Sequence, residues 1–212
     1  MKKIVNLLLV ALIVGSVSCS QDDDDNTGGG TPNTPNTPNT PNTPNNPGGG
    51  ITINSNPVFS GTLDGTSLLY QANAYPMNGG SGNGFTWSFG SSLLDANDVM
   101  LASLEIGTLE YPTPMDHELY EEMFDQFLAQ GSRPYSDDAS QGVNFGIGVN
   151  GVEWNTAGNQ TGSTFTFDAT SVLNAGGEHY VKFKASLNCK VYNGSQVKTL
   201  NGVYVNYFKF MY

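Results

Sequence analysis

One stretch of the chain, from His179 to Tyr192, constrains the fold most strongly, because apolar and polar residues alternate along its whole length. The apolar side chains occupy every second position, namely Val181, Phe183, Ala185, Leu187, Cys189 and Val191. Successive side chains of a strand point to opposite faces of the sheet. The pattern therefore predicts a long antiparallel strand with one buried face and one solvated face.

Shorter runs rich in Val, Phe, Tyr, Thr and Leu predict further antiparallel strands, because Gly- and Asn-rich turns separate them. The predicted strands are 58–63, 67–75, 85–89, 99–106, 143–149, 152–154 and 163–167. Asp64-Gly65 and Asn150-Gly151 are typical hairpin turns. Two later pairs, Asn193-Gly194 and Asn201-Gly202, predict that the C-terminus is a three-strand meander. The glycine-rich segment 79–84 is predicted to be a mobile loop.

One segment, about residues 115–130, has the period of a helix instead. Its apolar positions are Leu119, Met123 and Phe127 at a spacing of four, with Phe124 and Leu128 beside them. Thr113-Pro114 predicts the start of this helix, and Gly131 predicts its end. Many short antiparallel strands with a single helix predict an all-β fold, an antiparallel β-sandwich with one amphipathic helix, over residues 51–212.

The N-terminal segment has the charged, apolar and small-residue pattern of a cleavable signal peptide. Lys2-Lys3 forms a positive region, and the apolar run Ile4 to Val14 is too short to span a bilayer permanently. The segment 16–19, Ser-Val-Ser-Cys, resembles a lipobox, although a Ser replaces the usual Leu, as in the looser lipoboxes of Bacteroidota. We therefore expect residues 1–18 to be removed and Cys19 to be lipidated. The alternative is ordinary secretory cleavage with an unmodified cysteine.

An acidic run follows the predicted lipidation site directly, with the residues Ser20, Gln21, Asp22, Asp23, Asp24 and Asp25. This run resembles the lipoprotein export signal of Bacteroidota, which directs lipoproteins to the outer face of the outer membrane. The resemblance implies an outer-membrane protein that faces the cell exterior. The alternative is a solvated charge cluster that only holds the chain away from the membrane.

A spacer separates this run from the predicted domain. Thr-Pro-Asn triplets fill 31–42, and glycine triplets occupy 28–30 and 48–50. A Pro at every third position blocks helices and central strands and favours extended polyproline II conformation. We therefore expect residues 19–50 to form a disordered stalk between the lipid anchor and the domain.

The net charge of −11 restricts the partners of this chain. Nucleic acid is not an expected partner, because binding to phosphates needs a basic stripe. Direct adhesion to anionic lipid headgroups is disfavoured for the same reason. The expected link to the membrane is therefore the lipid anchor on Cys19.

Five segments of the second half of the chain form a recognisable set, namely 109–112, 150–156, 160–163, 187–194 and 201–204. Through these segments the stretch from about Leu101 to Tyr212 resembles a group of uncharacterised lipoprotein domains of Bacteroidota. No activity is established for that group, so the resemblance implies a fold and a location but no chemistry.

No assembled catalytic or metal-binding motif is visible in the sequence. Cys189 lies on the predicted buried face, where a free cysteine behaves as a small hydrophobic residue. His117 and His179 lack the clustered partners of a zinc site. His117 and Glu121 form an i, i+4 pair, for which a solvated acidic helix is the simpler interpretation. We expect no metal, no other cofactor and no catalytic residue.

Two carboxylates that face each other across a cleft would support glycoside hydrolysis. The sequence offers five candidates without a way to pair them, namely Asp95, Asp98, Asp137, Asp138 and Glu153. The oxygen-rich loops 95–98 and 136–138 could also hold calcium. Neither loop has EF-hand spacing, and both are more simply explained as turns.

Aromatic residues give the one positive signal for ligand binding. Tyr75, Tyr111, Tyr135 and Trp154 are candidate contacts for a ligand, because exposed rings on β-sandwiches often hold sugars or proteins. The alternative is that these rings belong to the core, as most Trp and Tyr side chains do in a domain of this size.

Three functions are compatible with the sequence. The leading hypothesis is a non-catalytic binding or accessory lipoprotein whose ligand is a glycan or a neighbouring outer-membrane protein. The second is a carbohydrate-active hydrolase with a carboxylate pair. The third is a structural subunit of an outer-membrane complex, which predicts a sizeable exposed apolar patch.

Overall fold

The structure, a computed structural model, describes residues 50–71, 78–82, 86–111, 116–136 and 142–210. All of them belong to one compact unit. The predicted signal peptide, Cys19, the acidic run and the stalk up to Gly49 lie outside the described residues, as does Tyr75.

The described part of the chain forms eleven strands and one helix. In chain order they are β1 (Val58–Leu63), β2 (Thr66–Gln71), β3 (Asn78–Gly82), β4 (Thr86–Leu94), β5 (Met100–Glu110), α1 (His117–Phe127), β6 (Gly131–Arg133), β7 (Val143–Val149), β8 (Val152–Asn155), β9 (Thr164–Ala175), β10 (Glu178–Asn193) and β11 (Gln196–Lys209). The predicted all-β, sandwich-like fold with a single helix is confirmed.

The strands are antiparallel and form two groups that meet at β10. One group has the order β2-β1-β11-β10-β9-β6, and the other has the order β8-β7-β5-β4-β3. Strand β10 pairs with β9 from Glu178 to Asn188, and its far end pairs with β8 between Tyr192 and Asn155. A single long strand therefore belongs to both layers of the sandwich.

Strand β10 has the alternating burial that its sequence predicts. Each apolar side chain from Val181 to Val191 is at most 4% exposed, whereas the lysines between them are partly exposed. Its neighbour β11 packs against the second layer, where the Tyr204 ring lies 5.5 Å from the Phe145 ring. The Tyr204 hydroxyl donates a hydrogen bond of 3.1 Å to the carbonyl oxygen of Ser91, so this buried polar group is satisfied.

The side chain of Gln160 fills the gap between β9 and β8 along the edge of β10. Its amide nitrogen donates to the Lys190 carbonyl oxygen at 2.7 Å, and its amide oxygen accepts from the Lys190 backbone nitrogen at 3.1 Å. The same amide nitrogen also donates to the Thr156 carbonyl oxygen at 2.8 Å. One side chain thus makes the hydrogen bonds that a neighbouring strand would otherwise supply.

Helix α1 is shorter than predicted and is rotated relative to the predicted apolar stripe. Its N-cap is Asp116 instead of Thr113, and it ends at Phe127, before Gly131. The buried positions are Tyr120, Phe124 and Leu128, whereas the predicted contact Leu119 is 45% exposed. The Phe124 ring lies 5.0 Å from the Phe89 ring and 5.5 Å from the Phe210 ring, so the helix covers one end of the sandwich.

The end of helix α1 is stabilised by a residue of the next strand. Arg133 donates hydrogen bonds of 3.0 Å to the carbonyl oxygens of Phe127 and Ala129. These carbonyl groups lie at the negative end of the helix dipole, where a cation is favourable. No helix among the described residues is long and apolar enough to cross a bilayer.

The predicted three-strand meander is wrong, because β11 continues without a turn through Asn201-Gly202. Gly202 pairs with Gly61 across the sheet, and the Phe59 ring covers both glycines. A Cβ atom at Gly202 would lie 2.8 Å from two carbon atoms of that ring. This glycine therefore marks the close approach of an aromatic ring inside a strand instead of a turn.

The predicted mobile loop at 79–84 is also wrong for its first part. Residues 78–82 form strand β3 and pair with β4 between Ser91 and Trp87. The pairing with β4 overrides the low strand propensity of glycine.

Candidate functional site

A groove of about 500 Å³ opens where β4 turns into β5 and β7 turns into β8. We call it the turn-end groove. Its lining consists of Tyr70, Asp95, Val99, Met100, Leu101, Gly148, Asn150, Gly151, Val152 and Glu153. The volume is within the usual range for a small-molecule or oligomer site.

Two tight turns build the rim of the turn-end groove. Asn150 and Gly151 have φ values of 53° and 75°, which are typical of the hairpin turn that their sequence predicts. On the other rim, Asp95 Oδ1 accepts hydrogen bonds from the backbone nitrogens of Asn97 at 2.7 Å and Val99 at 2.9 Å. The bonds from Val99 and Asn97 hold the pKa of the Asp95 carboxyl below its ordinary value.

The floor of the groove is held by contacts between distant strands. The Tyr70 hydroxyl on β2 donates to the carbonyl oxygen of Gly148 on β7 at 2.8 Å, and burial raises the pKa of this hydroxyl. A Cβ atom at Gly148 would lie only 2.4 Å from the Met100 carbonyl oxygen, so only glycine fits at this position. The groove therefore has a rigid floor of backbone and one tyrosine.

The surface of the groove combines apolar and acidic side chains that face solvent. Val99 is 53% exposed and Val152 is 41% exposed, so both offer apolar contact area to a ligand. Asp95 and Glu153, two of the five carboxylate candidates, line the same groove. Asp98 does not line it, and Asp137 and Asp138 lie outside the described residues.

The predicted aromatic ligand contacts are not brought together on one surface. Tyr111 is 6% exposed and packs its ring edge-on, 4.7 Å from the Tyr120 ring. Trp154 is 4% exposed, and the Lys198 ammonium lies 4.4 Å from the centre of its ring. Their burial leaves little ring surface for a ligand and agrees with the core alternative.

Tyr135 is half-buried and packs against strand β9, away from Tyr111 and Trp154. Its ring meets the Phe165 ring at 6.2 Å, and its hydroxyl donates to the Thr164 carbonyl oxygen at 3.2 Å. Burial raises the pKa of the hydroxyl well above its ordinary value. The nearby Cys189 thiol is buried as predicted, and its burial raises the pKa of that thiol to about 12. A protonated, inaccessible thiol is a poor nucleophile.

A second cavity, of about 330 Å³, lies at the opposite end of β10 beside helix α1. His179, only 8% exposed, lies there with its Nε2 atom 2.7 Å from Asp125 Oδ1 and its Nδ1 atom 2.9 Å from Asn174 Oδ1. Glu121 lies between the two histidines, 3.5 Å from His117 and 3.8 Å from His179. We call these side chains the helix-end cluster.

The helix-end cluster fastens α1 to β10. Among the described residues, no group of three or more His, Cys, Asp or Glu side chains is arranged to hold a metal ion. Both ring nitrogens of His179 already contact oxygen atoms of the protein. The sequence reveals the pair of His117 and Glu121, but not the contact between His179 and Asp125, because 54 residues separate them.

The fold and its grooves define a sandwich-like domain with an open, mixed-polarity groove at one end. In comparisons with known proteins, no family model, no curated protein and no solved structure matches this chain.

Proposed function

We propose that this protein is a lipid-anchored, surface-exposed lipoprotein of the outer membrane that binds a glycan or a neighbouring outer-membrane protein without transforming it. The N-terminal sequence supports the location, through the lipobox-like segment that ends at Cys19, the acidic run 20–25 and the Thr-Pro-Asn stalk. Its resemblance to uncharacterised Bacteroidota lipoproteins supports the same location.

The turn-end groove is the observation that carries the proposed binding role. A ligand site needs concave surface, apolar contact area and a few fixed polar groups. The groove offers the exposed valines Val99 and Val152 for contact with the faces of sugar rings or with apolar side chains. Asp95, fixed by two backbone hydrogen bonds, and the exposed Glu153 would accept hydrogen bonds from hydroxyl groups.

Titration calorimetry of the full chain with soluble fragments of dextran, xylan and mannan tests this role. We expect at least one fragment to bind, and we expect Val99→Glu and Val152→Glu each to weaken that binding at least ten-fold, about 1.4 kcal/mol. Val197→Glu is the matched control, because Val197 is 52% exposed and does not line the groove. Equal weakening by all three substitutions would count against the groove.

A glycoside hydrolase is the second candidate, because Asp95 and Glu153 line one groove. Such an enzyme needs one carboxylic acid with a raised pKa that protonates the leaving group. The pKa of Asp95 is shifted downward, which suits a base or nucleophile and leaves only Glu153 as the acid. Release of reducing sugar that is abolished by Asp95→Asn and by Glu153→Gln would support the hydrolase and refute the non-catalytic role.

A further inference from the structure

The lysines of this acidic protein are concentrated on two strands. The sequence has eight Lys and Arg residues, of which Lys2 and Lys3 lie near the N-terminus and one is Arg133. The others, Lys182, Lys184, Lys190, Lys198 and Lys209, all belong to β10 and β11. In a chain of net charge −11, all the lysines of the domain therefore lie on one pair of adjacent strands.

Four of these lysines project from the same outer face of the sheet. Lys182, Lys184 and Lys190 occupy the positions of β10 that alternate with its buried side chains, and Lys209 pairs directly with Tyr180. Lys198 is the exception, because it pairs with buried Val191 and covers the Trp154 ring on the opposite face. We call the outer set, with Tyr180 and Tyr207, the lysine face.

Two tyrosines alternate with lysines at one end of the lysine face. Lys182 pairs with Tyr207 across the strands, Tyr180 pairs with Lys209, and the two tyrosine rings meet edge-on at 5.5 Å. Partial burial of Lys182 lowers the pKa of its ammonium group. A partly desolvated cation beside aromatic rings attracts anions more strongly than one in open water.

Few carboxylates neutralise this surface. Glu178 forms an ion pair with Lys209 and accepts a hydrogen bond from Tyr180, so the Lys209 charge is already neutralised. Asp168 accepts a hydrogen bond from Ser186 at 2.5 Å. Among the described residues, Lys182 and Lys184 form no ion pair within 4.0 Å. From Lys182 to Lys190 the strand extends about 26 Å, so the cations form a row suited to an extended polymer.

We propose that the lysine face binds a polysaccharide that carries carboxylate or sulfate groups. The lysines match the charges of such a polymer, and the flat tyrosine rings offer contact area for sugar rings. Hydroxyl and amide groups share this face, because Ser171 pairs with Lys182, Thr166 pairs with Ser186, and Asn188 is exposed between lysines. This inference rests on the proposed binding role and gives the domain a second site besides the turn-end groove.

The test measures binding of the full chain to dextran sulfate and to polygalacturonate at low and at high salt, with neutral dextran and polyglutamate alongside. We expect both anionic polysaccharides to bind and their affinity to fall as salt rises. Lys182→Gln and Lys184→Gln should each weaken this binding about three- to five-fold, the contribution of one partly exposed ion pair. Tyr207→Leu should weaken it as well.

Lys198→Gln is the matched control, since it removes the same charge from the same hairpin on the other face. Equal weakening by Lys182→Gln and Lys198→Gln would overturn the proposal, because net charge would then explain the binding. Binding of polyglutamate that is equally tight and equally sensitive to Lys182→Gln and Tyr207→Leu would overturn it in favour of an acidic protein partner.

The outcomes also separate this inference from the proposed function. Dextran sulfate binding that is unchanged in Val99→Glu and is weakened about three- to five-fold in Lys184→Gln supports the lysine face, whatever the groove binds. Neutral fragments that bind the groove while both anionic polysaccharides fail to bind would overturn the lysine face and leave the proposed function intact.

Discussion

The two ends of strand β10 use ionisable side chains in opposite ways. At the start of the strand, His179 is buried, and its ring nitrogens are occupied by Asp125 and Asn174. At its far end, the Asn193 amide donates to the backbone of Glu153, whose side chain remains exposed in the turn-end groove. The difference teaches that a cluster of titratable groups can serve to hold a helix on a strand. The groove lined by exposed valines and carboxylates is the better candidate for binding.

The largest expected effect on stability comes from the end of β10 on which helix α1 packs. Phe124→Ala should lower the free energy of unfolding by about 3–5 kcal/mol, because it removes a fully buried ring between Phe89 and Phe210. Urea denaturation measures this change. Leu119→Ala on the same helix is the control and should change stability far less, since Leu119 is 45% exposed.

Gln160, which lies between β9 and β8 at the edge of β10, should have the next largest effect on stability. Gln160→Ala leaves the backbone groups of Lys190 without their hydrogen-bond partner and should cost about 2–3 kcal/mol. Hydrogen exchange should report faster exchange at the Lys190 amide before global unfolding. An unchanged exchange rate at that amide would contradict the role of Gln160 as its hydrogen-bond partner. Gln196→Ala, at an exposed position, is the control.

The helix-end cluster should contribute less than the packing of Phe124. His179→Ala removes the contacts with Asp125 and Asn174 and should destabilise the protein by about 1–2 kcal/mol, since Asp125 is partly exposed. His117→Ala should have almost no effect on thermal unfolding, because the His117 side chain is 53% exposed. Comparable losses for the two histidines would contradict the assignment of the fastening to His179.

The smallest expected effect is a pH dependence at the groove rim. Folding lowers the pKa of Asp95, so the ionised carboxylate adds to the free energy of unfolding. This stabilisation is complete above the ordinary pKa of an aspartate and is lost as the pH falls through the lowered pKa. Asp95→Asn should therefore reduce stability slightly at neutral pH and not in acid. Thermal unfolding across this pH range measures the difference, and a gap between wild type and variant that widens in acid would contradict it.

Local patterns in the sequence predict most of the strands. The alternation in β10 gives both its limits and its buried face, and the turns at Asp64-Gly65 and Asn150-Gly151 are as predicted. The turn predicted from the local pattern at Gly202 is wrong. A glycine is needed there because the ring of Phe59, which is distant in the sequence, packs against its backbone. Local pattern also predicts the wrong buried face for α1. That face is determined by contacts of Phe124 with Phe89 and Phe210, which are distant in the sequence.

The candidate sites depend even more on distant segments. The turn-end groove combines β2, the β4–β5 loop and the β7–β8 turn, so neither its existence nor the shared placement of Asp95 and Glu153 could be predicted from local pattern. The lysine face is different, because alternation along β10 already places Lys182, Lys184 and Lys190 on one side. Only the partners contributed by β11, above all Tyr207, required the pairing register.

The inaccessible thiol on β10 offers a route to spectroscopy. Maleimides react with thiolates, and Cys189 in the folded domain is both shielded and protonated. Asn188, its neighbour in sequence, is exposed on the opposite side of the same strand. In a chain that carries Cys19→Ser, a fluorophore attached through Asn188→Cys would therefore label the lysine face without modifying Cys189. Its emission would report the arrival of a polymer directly.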